Sequence, residues 1–385
     1  MSVDRPAPPP IHGTVAVGFE AVRDAFTANF VEHGEVGGAV HAMVDGETVA
    51  DLWGGSVDDV GTPWRRDTLV DVYSVGKAFA SVLVLQLIAD GRIGLDDPVA
   101  MHWPAFAAGG KEKATVRHLL THRIGVPAIR RPMRNEDLWD PVAMFEAVAS
   151  TEPWWEPGTR HGYHTNTFGH LTGGLVHAVT GQLPGDVLRR RVTAPLGADV
   201  HIGVADDDLE RCADVRWDGP EFTWDFDEID ALEGDQRMVL LSYANPPGYS
   251  SMGVVNTRQW RQTQLPSTNT HATARGVATI YRALLDGEVL DPDLLAEAAS
   301  AQSTGWCPVL EQDVTFGLGF QPWTPERQLG RTPGGFGHFG TGGSLGFADP
   351  DRGVAFGYVM NHVIPRWQSP RNRALVDALY DCLGP

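Results

Sequence analysis

Cysteines and long apolar runs are both scarce in this 385-residue sequence. Its three cysteines are odd in number and far apart, which predicts reduced thiols and gives no disulfide framework or cysteine metal site. The longest apolar stretch, residues 78–89, is interrupted by Ser81 and Gln86 and is too short to cross a bilayer. Because the first ten residues also lack the apolar segment of a signal peptide, we expect a cytoplasmic protein.

Basic residues are also in the minority. Lysine and arginine number 30 against 49 aspartates and glutamates, which gives a formal net charge of −19. Such a field repels phosphate, so neither nucleic acid nor an anionic membrane surface is expected as a partner. The apolar content of 42% is ordinary for a soluble globular protein.

Lysine is the scarcest charged residue, because only Lys77, Lys111 and Lys113 occur among the 30 basic residues. A chain that nearly avoids lysine nevertheless has one three positions after a serine, in Ser74-Val75-Gly76-Lys77. This contrast favours a functional interpretation of the Ser74–Lys77 pair.

The spacing of Ser74 and Lys77 places both side chains on one face of a first helical turn. A serine hydroxyl is a poor nucleophile until a base removes its proton. A lysine can be that base if burial and the positive end of the helix dipole lower its pKa. The backbone N–H of Ser74 would then be one oxyanion donor. The four-residue pattern alone often arises by chance, and a helix-capping serine with a surface lysine is its ordinary interpretation.

The predicted elements run in the order strands, helices, strands and a final helix. Residues 37–53 alternate around Asp45-Gly46, which is typical of a β-hairpin. Residues 75–90 have helical spacing, with Gly91 as the C-cap. Further helices are predicted at 115–124, 141–150, 168–181, 183–193, 271–286, 291–301 and near 369–383, and strands near 315–321, 336–340, 344–349 and 353–361, with residues 205–270 irregular.

This order favours an α/β (α+β) fold in which both ends of the chain build one sheet. The predicted parts are a proline-rich tail at 1–12, an α/β lobe made of 13–76 and 271–385, and a mainly helical lobe at 77–270. The sequence shows no internal repeat and no low-complexity linker that would divide the chain further.

Two segments far from Ser74 carry residues that could complete a site. Tyr163 lies in Pro157-Gly-Thr-Arg-His-Gly-Tyr-His-Thr165, just before a predicted helix, where its hydroxyl could join the Ser74–Lys77 pair. Near the end, Gly337-His-Phe-Gly-Thr-Gly-Gly343 is typical of a glycine-lined edge strand that a substrate can approach closely.

Taken together, these segments resemble the class C β-lactamases, the penicillin-binding-protein-like enzymes and, most closely, the family VIII carboxylesterases. The resemblance begins near residue 14 and includes "SVGKAFAS", "GRIGLDDPV", "TVRHLLTHRIGVP", "PGTRHGYHTNTFGHLTGGLV" and "GHFGTGGSLGFADP". It implies a β-lactamase-like fold, with an antiparallel sheet flanked by helices beside a mostly helical lobe. It also implies that Ser74, Lys77 and Tyr163 are catalytic.

The sequence departs from the family pattern at two motifs. Thr165 stands where the second motif usually has asparagine, and His338-Phe339-Gly340 replaces the usual Lys-Thr-Gly of the third. In the family, that lysine and threonine help to bind the substrate carboxylate. His338, Phe339 and Gly340 are therefore expected to bind a neutral acyl substrate, and the family's second oxyanion donor falls on the N–H of Thr341.

The function that this resemblance implies is a serine carboxylesterase for short- to medium-chain neutral esters, acting through a Ser74 acyl-enzyme with no metal or cofactor. An acyltransferase with the same intermediate is an alternative. So is a β-lactamase, a D-amino-acid peptidase or an amidase, which His338 and Phe339 disfavour. The expected partner is a small-molecule ester, and the oligomeric state stays open.

Two other patterns suggest different chemistry. Gly342-Gly-Ser344-Leu-Gly346 matches the nucleophile elbow of α/β-hydrolases, but it lacks a following helix and the Asp and His in chain order. His118 and His122 have zinc-ligand spacing, but the glutamate that would act as base is absent. We expect residues 342–346 to form a glycine-rich turn, and His118 and His122 to be packing residues.

Overall fold

A computed structural model describes residues 7–217, 226–251, 253–364 and 368–384 of the chain. The strands are β1 Ile11–Val15, β2 Gly37–Val44, β3 Glu47–Gly55, β4 Val70–Asp71, β5 Val200–Ile202, β6 Arg216–Trp217, β7 Thr270–Ala272, β8 Ser303–Cys307, β9 Gln312–Phe316, β10 Gln321–Pro322, β11 Phe336–Phe339, β12 Leu345–Asp349, β13 Val354–Met360 and β14 His362–Val363.

The main sheet has seven antiparallel strands in the order β1-β3-β2-β13-β12-β11-β10. The β2–β3 hairpin turns at Asp45 and Gly46, whose φ angles of 50° and 86° are both left-handed, as a tight two-residue hairpin requires. Strand β2 pairs with β13, so the two ends of the chain meet in the centre of the sheet. This confirms that both ends build one sheet.

Helices cover the sheet and form most of the region between its two halves. Helix α12 contacts β13, β12 and β2, whereas α1 and α14 pack on each other beside β3 and β1. The helices are α1 Glu20–Glu32, α2 Gly76–Ala89, α3 Val99–His102, α4 Val116–Leu120, α5 Pro141–Ser150, α6 Thr167–Thr180, α7 Pro184–Leu188, α8 Ala194–Leu196, α9 Phe226–Asp230, α10 Gly234–Ala244, α11 Arg258–Gln262, α12 Ala274–Leu285, α13 Pro292–Ala299 and α14 Pro370–Leu383.

Helix α2 joins the sheet to the helical region. Every residue from Gly76 to Leu87 is buried, as expected for a helix that is apolar all round. The helix packs against α6 and α7 on one side and against β11 on the other. The apolar core therefore runs continuously from the sheet through α2 into the helices. The division into two lobes at 76/77 and 270/271 stays a prediction.

The structure corrects several predicted elements. Strand β1 begins at Ile11 and pairs with β3, so the tail predicted for 1–12 is too long; residues 1–6 lie outside the described chain. The described parts of 205–270 contain α10 and α11, so the irregular prediction was wrong there. The strand predicted near 315–321 is two separate strands, β9 and β10. Within the described ranges, no helix has the length and apolarity of a membrane span.

Candidate active site

Ser74 lies in a 3₁₀ turn, Tyr73–Val75, between β4 and α2. The residue before it, Tyr73, has a left-handed φ of 51°, a conformation that costs free energy for a residue with a side chain. The Tyr73 N–H donates to Asp71 Oδ1 at 2.9 Å, and the Trp260 Nε1–H donates to Asp71 Oδ2 at 2.9 Å. The buried carboxyl of Asp71 therefore holds the turn that presents Ser74.

Lys77 lies within hydrogen-bond distance of the Ser74 hydroxyl. Its Nζ lies 2.8 Å from Ser74 Oγ and 3.0 Å from the backbone carbonyl oxygen of Ser267. Lys77 is fully buried, whereas Ser74 keeps 8% of its surface exposed. Burial lowers the pKa of the Lys77 ammonium well below its ordinary value, because the charged form loses its hydration. A neutral amine can accept the proton of the hydroxyl beside it.

Gly76 explains how α2 comes so close to the segment that carries Ser267. A Cβ on Gly76 would lie 2.1 Å from Thr270 Oγ1 and 2.3 Å from the carbonyl oxygen of Pro266. Any side chain at this position would push the segment away from the start of α2. The glycine between Ser74 and Lys77 therefore permits the contact between Lys77 and Ser267.

Tyr163 completes a cluster with Ser74 and Lys77. Its hydroxyl hydrogen-bonds with the Ser74 side chain, and Lys77 Nζ lies 4.9 Å from the centroid of its ring. Burial raises the pKa of the Tyr163 hydroxyl, so it stays protonated at neutral pH. The Tyr163 N–H donates to Cys307 Sγ at 3.1 Å, and the ring stacks on Phe316 with centroids 5.9 Å apart. The hairpin β8–β9 thus fixes the tyrosine from behind.

His338 lies on the other side of Tyr163, on strand β11, and the two ring centroids are 6.3 Å apart. Burial lowers the pKa of His338 to about 3, so its imidazole is neutral. The side chain of Phe339 is buried in the core. Strand β11 is not a free edge, because β10 pairs with its first half; the second half extends beyond β10.

Gly340 brings the end of β11 against the turn that carries Ser74. A Cβ on Gly340 would lie 2.3 Å from the carbonyl oxygen of Val72, two residues before Ser74. The next residue, Thr341, begins a short 3₁₀ turn. Because of this close approach, Thr341 and Ser74 line the same cavity.

That cavity has a volume of about 300 Å³ and is bounded mainly by apolar surface. Besides Ser74 and Thr341, its walls include Thr165 and Asn166 just before α6, residues of α10, and Trp217 on β6. Among the described residues that line it, none carries a charge, and His338, Phe339 and Gly340 are not included. Their role in binding substrate stays a prediction, because His338 and Phe339 are buried and do not line the cavity.

Asn166 and Ser267 were missed by the sequence analysis. The amide of Asn166 donates to the Ser242 carbonyl oxygen at 2.8 Å and to Ser250 Oγ at 2.9 Å, and its Oδ1 accepts from Thr268 Oγ1 at 2.7 Å. The Ser267 hydroxyl donates to the Asn166 carbonyl oxygen at 2.5 Å. An asparagine one position after the expected one was the available signal. A backbone carbonyl such as that of Ser267 leaves no signal in the sequence.

The two patterns that suggested other chemistry have structural explanations. Ser344 is fully buried, and strand β12 follows it, which contradicts a nucleophile elbow. His118 caps the start of α4 with Thr115, while His122 packs on Phe316 with ring centroids 4.3 Å apart. In the part of the chain that the structure describes, no group of three or more His, Cys, Asp or Glu residues could hold a metal ion.

Comparison with known proteins places this geometry in a family. The model of the Beta-lactamase family matches residues 22–380. The chain is 32% identical to the esterase/β-lactamase LipL of Mycobacterium tuberculosis, over 92% of this chain and 83% of that protein.

Solved structures agree with this match. A family VIII carboxylesterase has a TM-score of 0.88 at 33% identity, with 97% of this chain and 100% of that chain covered. A penicillin-binding-protein homologue from Caulobacter crescentus has a TM-score of 0.87 at 33% identity, with the same coverage. The predicted β-lactamase-like fold is confirmed. The chain therefore belongs to the Beta-lactamase family and is a hydrolase related to its esterases.

Proposed function

We propose that the protein is a serine carboxylesterase that hydrolyses neutral esters of short to medium acyl chain length through an acyl-enzyme on Ser74. The observation that carries the proposal is the 2.8 Å separation between Ser74 Oγ and the buried Nζ of Lys77. A nucleophile within hydrogen-bond distance of a base that is itself held by a third group is typical of covalent catalysis. Here the third group is the Ser267 carbonyl.

In the first half of the proposed reaction, neutral Lys77 takes the proton of Ser74 as Oγ bonds to the ester carbonyl carbon. The carbonyl oxygen becomes an oxyanion and accepts hydrogen bonds from the N–H groups of Ser74 and Thr341. When this intermediate collapses, the bond to the alkoxy oxygen breaks. That oxygen takes a proton from the Tyr163 hydroxyl, which regains one from the Lys77 ammonium.

In the second half, water adds to the carbonyl carbon of the acyl-enzyme and gives its proton to the Tyr163–Lys77 pair. Collapse of this second intermediate breaks the bond to Ser74 Oγ, which takes the proton back. The carboxylic acid leaves and the site returns to its starting state. The Ser267 carbonyl accepts one N–H of Lys77 throughout, which holds Nζ within hydrogen-bond distance of Ser74 Oγ.

The uncharged lining of the cavity beside the nucleophile supports a neutral ester over an anionic lactam; the buried guanidinium of Arg327, which lies near Tyr163 and His338, is not part of that lining. His338 is neutral where the family usually has a lysine, because burial holds its pKa at about 3. The described lining of the cavity offers no cation to a substrate carboxylate. Two of the similar proteins are an esterase/β-lactamase and a family VIII carboxylesterase, which agrees with an esterase.

The decisive experiment compares p-nitrophenyl butyrate with nitrocefin and follows the mass of the protein during turnover. We expect hydrolysis of the ester, a mass increase of one butyryl group on Ser74, and kcat/KM for nitrocefin at least about 100-fold lower. Ser74→Ala should fold normally and lose both turnover and the added mass. Turnover retained by Ser74→Ala would refute the nucleophile, and faster turnover of nitrocefin would refute the substrate class.

A further inference from the structure

Helix α10 forms one wall of the cavity beside Ser74. Leu240, Tyr243 and Ala244 are spaced at three and four residues along α10, so they share one helix face, and all three line the cavity. Ala244 is buried, whereas Leu240 and Tyr243 are partly buried against the apolar cluster that also contains Tyr163. The helix therefore presents side chains of different size to the space in front of the nucleophile.

The polar groups in the other walls are largely paired with the protein itself. The amide of Asn166 is engaged by Ser242, Ser250 and Thr268, as described above. The Tyr73 hydroxyl hydrogen-bonds with Ser251 Oγ at 3.1 Å. A polar or charged group entering the cavity would lose water without gaining equivalent partners from these side chains, so the cavity favours an apolar group.

The position of the proton donors indicates which half of an ester enters. The leaving alcohol must reach the group that protonates it, which in the proposed mechanism is Tyr163 with Lys77. Neither of these two residues lines the cavity, whereas Ser74 and Thr341, which meet the carbonyl carbon and oxygen, both do. The alcohol therefore leaves on the Tyr163 side, and the opposite substituent of the carbonyl points into the cavity.

We infer that this cavity is the acyl-binding pocket, that it selects uncharged apolar acyl groups, and that Leu240 limits their length. The inference rests on the proposed esterase function and adds the pocket and its determinant. A volume of about 300 Å³ is at the small end of ligand sites. We therefore expect the pocket to accept straight acyl chains to about eight carbons, or one aromatic ring with a short linker.

The test uses two ester series and three variants at neighbouring positions. The acyl series is p-nitrophenyl acetate to dodecanoate, in which only the acyl group grows. The alcohol series is acetates of alcohols from methyl to decyl, in which only the leaving group grows. Leu240→Ala enlarges the pocket and Leu240→Trp reduces it. Val239→Ala is the matched control, since Val239 lies on the same helix and packs on the same cluster without lining the cavity.

In the acyl series, the wild-type preference should peak at or below eight carbons. Leu240→Ala should move the peak about two carbons higher, because each methylene that becomes buried adds about fourfold to kcat/KM. Leu240→Trp should move it lower by a similar amount. In the alcohol series, the ratios between substrates should stay within about twofold of wild type for both variants, and Val239→Ala should match wild type in both series.

A second readout removes the leaving group altogether. Alkylboronic acids accept Ser74 Oγ at boron and carry only the substituent that occupies the acyl side. Their inhibition constants should follow the same length dependence and the same shift in Leu240→Ala. A shift confined to the alcohol series, or an equal shift in Val239→Ala, would overturn the inference while leaving the esterase intact. The esterase proposal itself would be refuted if the wild-type protein hydrolysed no ester and gained no acyl mass.

Discussion

Two buried lysines in this molecule have lowered pKa values but different surroundings. Lys77 at the start of α2 faces the Ser74 hydroxyl and the Ser267 carbonyl. Lys111, in the loop before α4, donates to the carbonyl oxygens of Ala108 and Thr151 at 2.5 Å each. Burial lowers the pKa of Lys111 to about 8.

The comparison separates a structural lysine from a candidate base. The two carbonyls around Lys111 only accept hydrogen bonds, so they offer no proton to a neutral amine and favour the ammonium form. Ser74 can both donate and accept, and it borders a cavity that a substrate can enter. Burial and a lowered pKa are therefore insufficient to mark a catalytic lysine. The chemistry of its hydrogen-bond partner decides.

The largest expected effect comes from replacing each lysine by methionine, which keeps the length of the side chain. Lys77→Met should lower kcat/KM for p-nitrophenyl butyrate by about 10⁴-fold or more, as removal of a catalytic base does. Lys111→Met should leave kcat/KM per folded molecule within about threefold. If circular dichroism showed both variants folded and both lost kcat/KM equally, the distinction between a structural Lys111 and a catalytic Lys77 would be refuted.

The loss of unfolding free energy should rank the two variants in the opposite order, with the larger loss in Lys111→Met. Lys111→Met leaves the carbonyls of Ala108 and Thr151 buried without their donor, which costs about 2–4 kcal/mol of unfolding free energy. Lys77→Met leaves one carbonyl, that of Ser267, without its lysine donor, and Ser74 Oγ, 3.5 Å from that oxygen and also bonded to Tyr163, remains as a partner. Its cost should therefore be smaller, about 1 kcal/mol. Urea denaturation of both variants measures the difference, and a larger loss in Lys77→Met would contradict the structural role of Lys111.

The positioning of Lys77 should be sensitive to the side chain of Ser267. Ser267→Ala removes the hydrogen bond to the Asn166 carbonyl and loosens the backbone carbonyl that holds Nζ. A displaced catalytic group costs up to about 100-fold, so we expect kcat to fall about tenfold to 100-fold, with KM changed less than threefold. Ser300→Ala is the control, because its exposed hydroxyl also bonds a backbone carbonyl. An unchanged kcat in Ser267→Ala would exclude this role.

The pH dependence of the unfolding free energy tests the lowered pKa of Lys111. Its pKa is lowered from 10.5 to about 8 in the folded state, so between these values the unfolded chain binds more protons. The unfolding free energy contributed by Lys111 therefore rises with pH from about 8 to about 10.5 and is constant below that window. The difference between wild type and Lys111→Met should follow this rise in urea titrations at fixed pH. A difference that falls across the window would contradict the lowered pKa.

The smallest expected effect concerns the two candidate serines. Ser344→Ala should keep kcat/KM within about twofold, because Ser344 is fully buried and its hydroxyl has no hydrogen-bond partner among the described residues. Removing an unpaired buried hydroxyl should also leave the unfolding free energy unchanged or slightly higher. A loss of activity comparable to that of Ser74→Ala would revive the nucleophile-elbow interpretation.

Local patterns in the sequence predicted the parts of the site that depend on local structure. The start of α2 and the hairpin at Asp45 follow from side-chain spacing and turn chemistry. The family resemblance supplied Tyr163 and Thr341, which no local pattern connects to Ser74. The catalytic roles of these residues stay predictions.

Other parts of the site could not be predicted, because they depend on contacts between distant segments. Helix α10 has no strong apolar face of its own, since its interior mixes Asp235 and Arg237 with apolar residues. Its position beside Ser74, in the wall of the same cavity, arises only in the folded chain. The Ser267 carbonyl belongs to the backbone, which is the same at every position, so no residue type could indicate its contact with Lys77.

The burial of Lys77 and Lys111 has a practical consequence for covalent attachment. Of the three lysines in the sequence, Lys113 alone is exposed. Reagents that acylate amines will reach Lys113 while both buried lysine amines stay protected. Coupling through Lys113 would therefore bind the protein to a support while Lys77, the candidate base, stays unmodified.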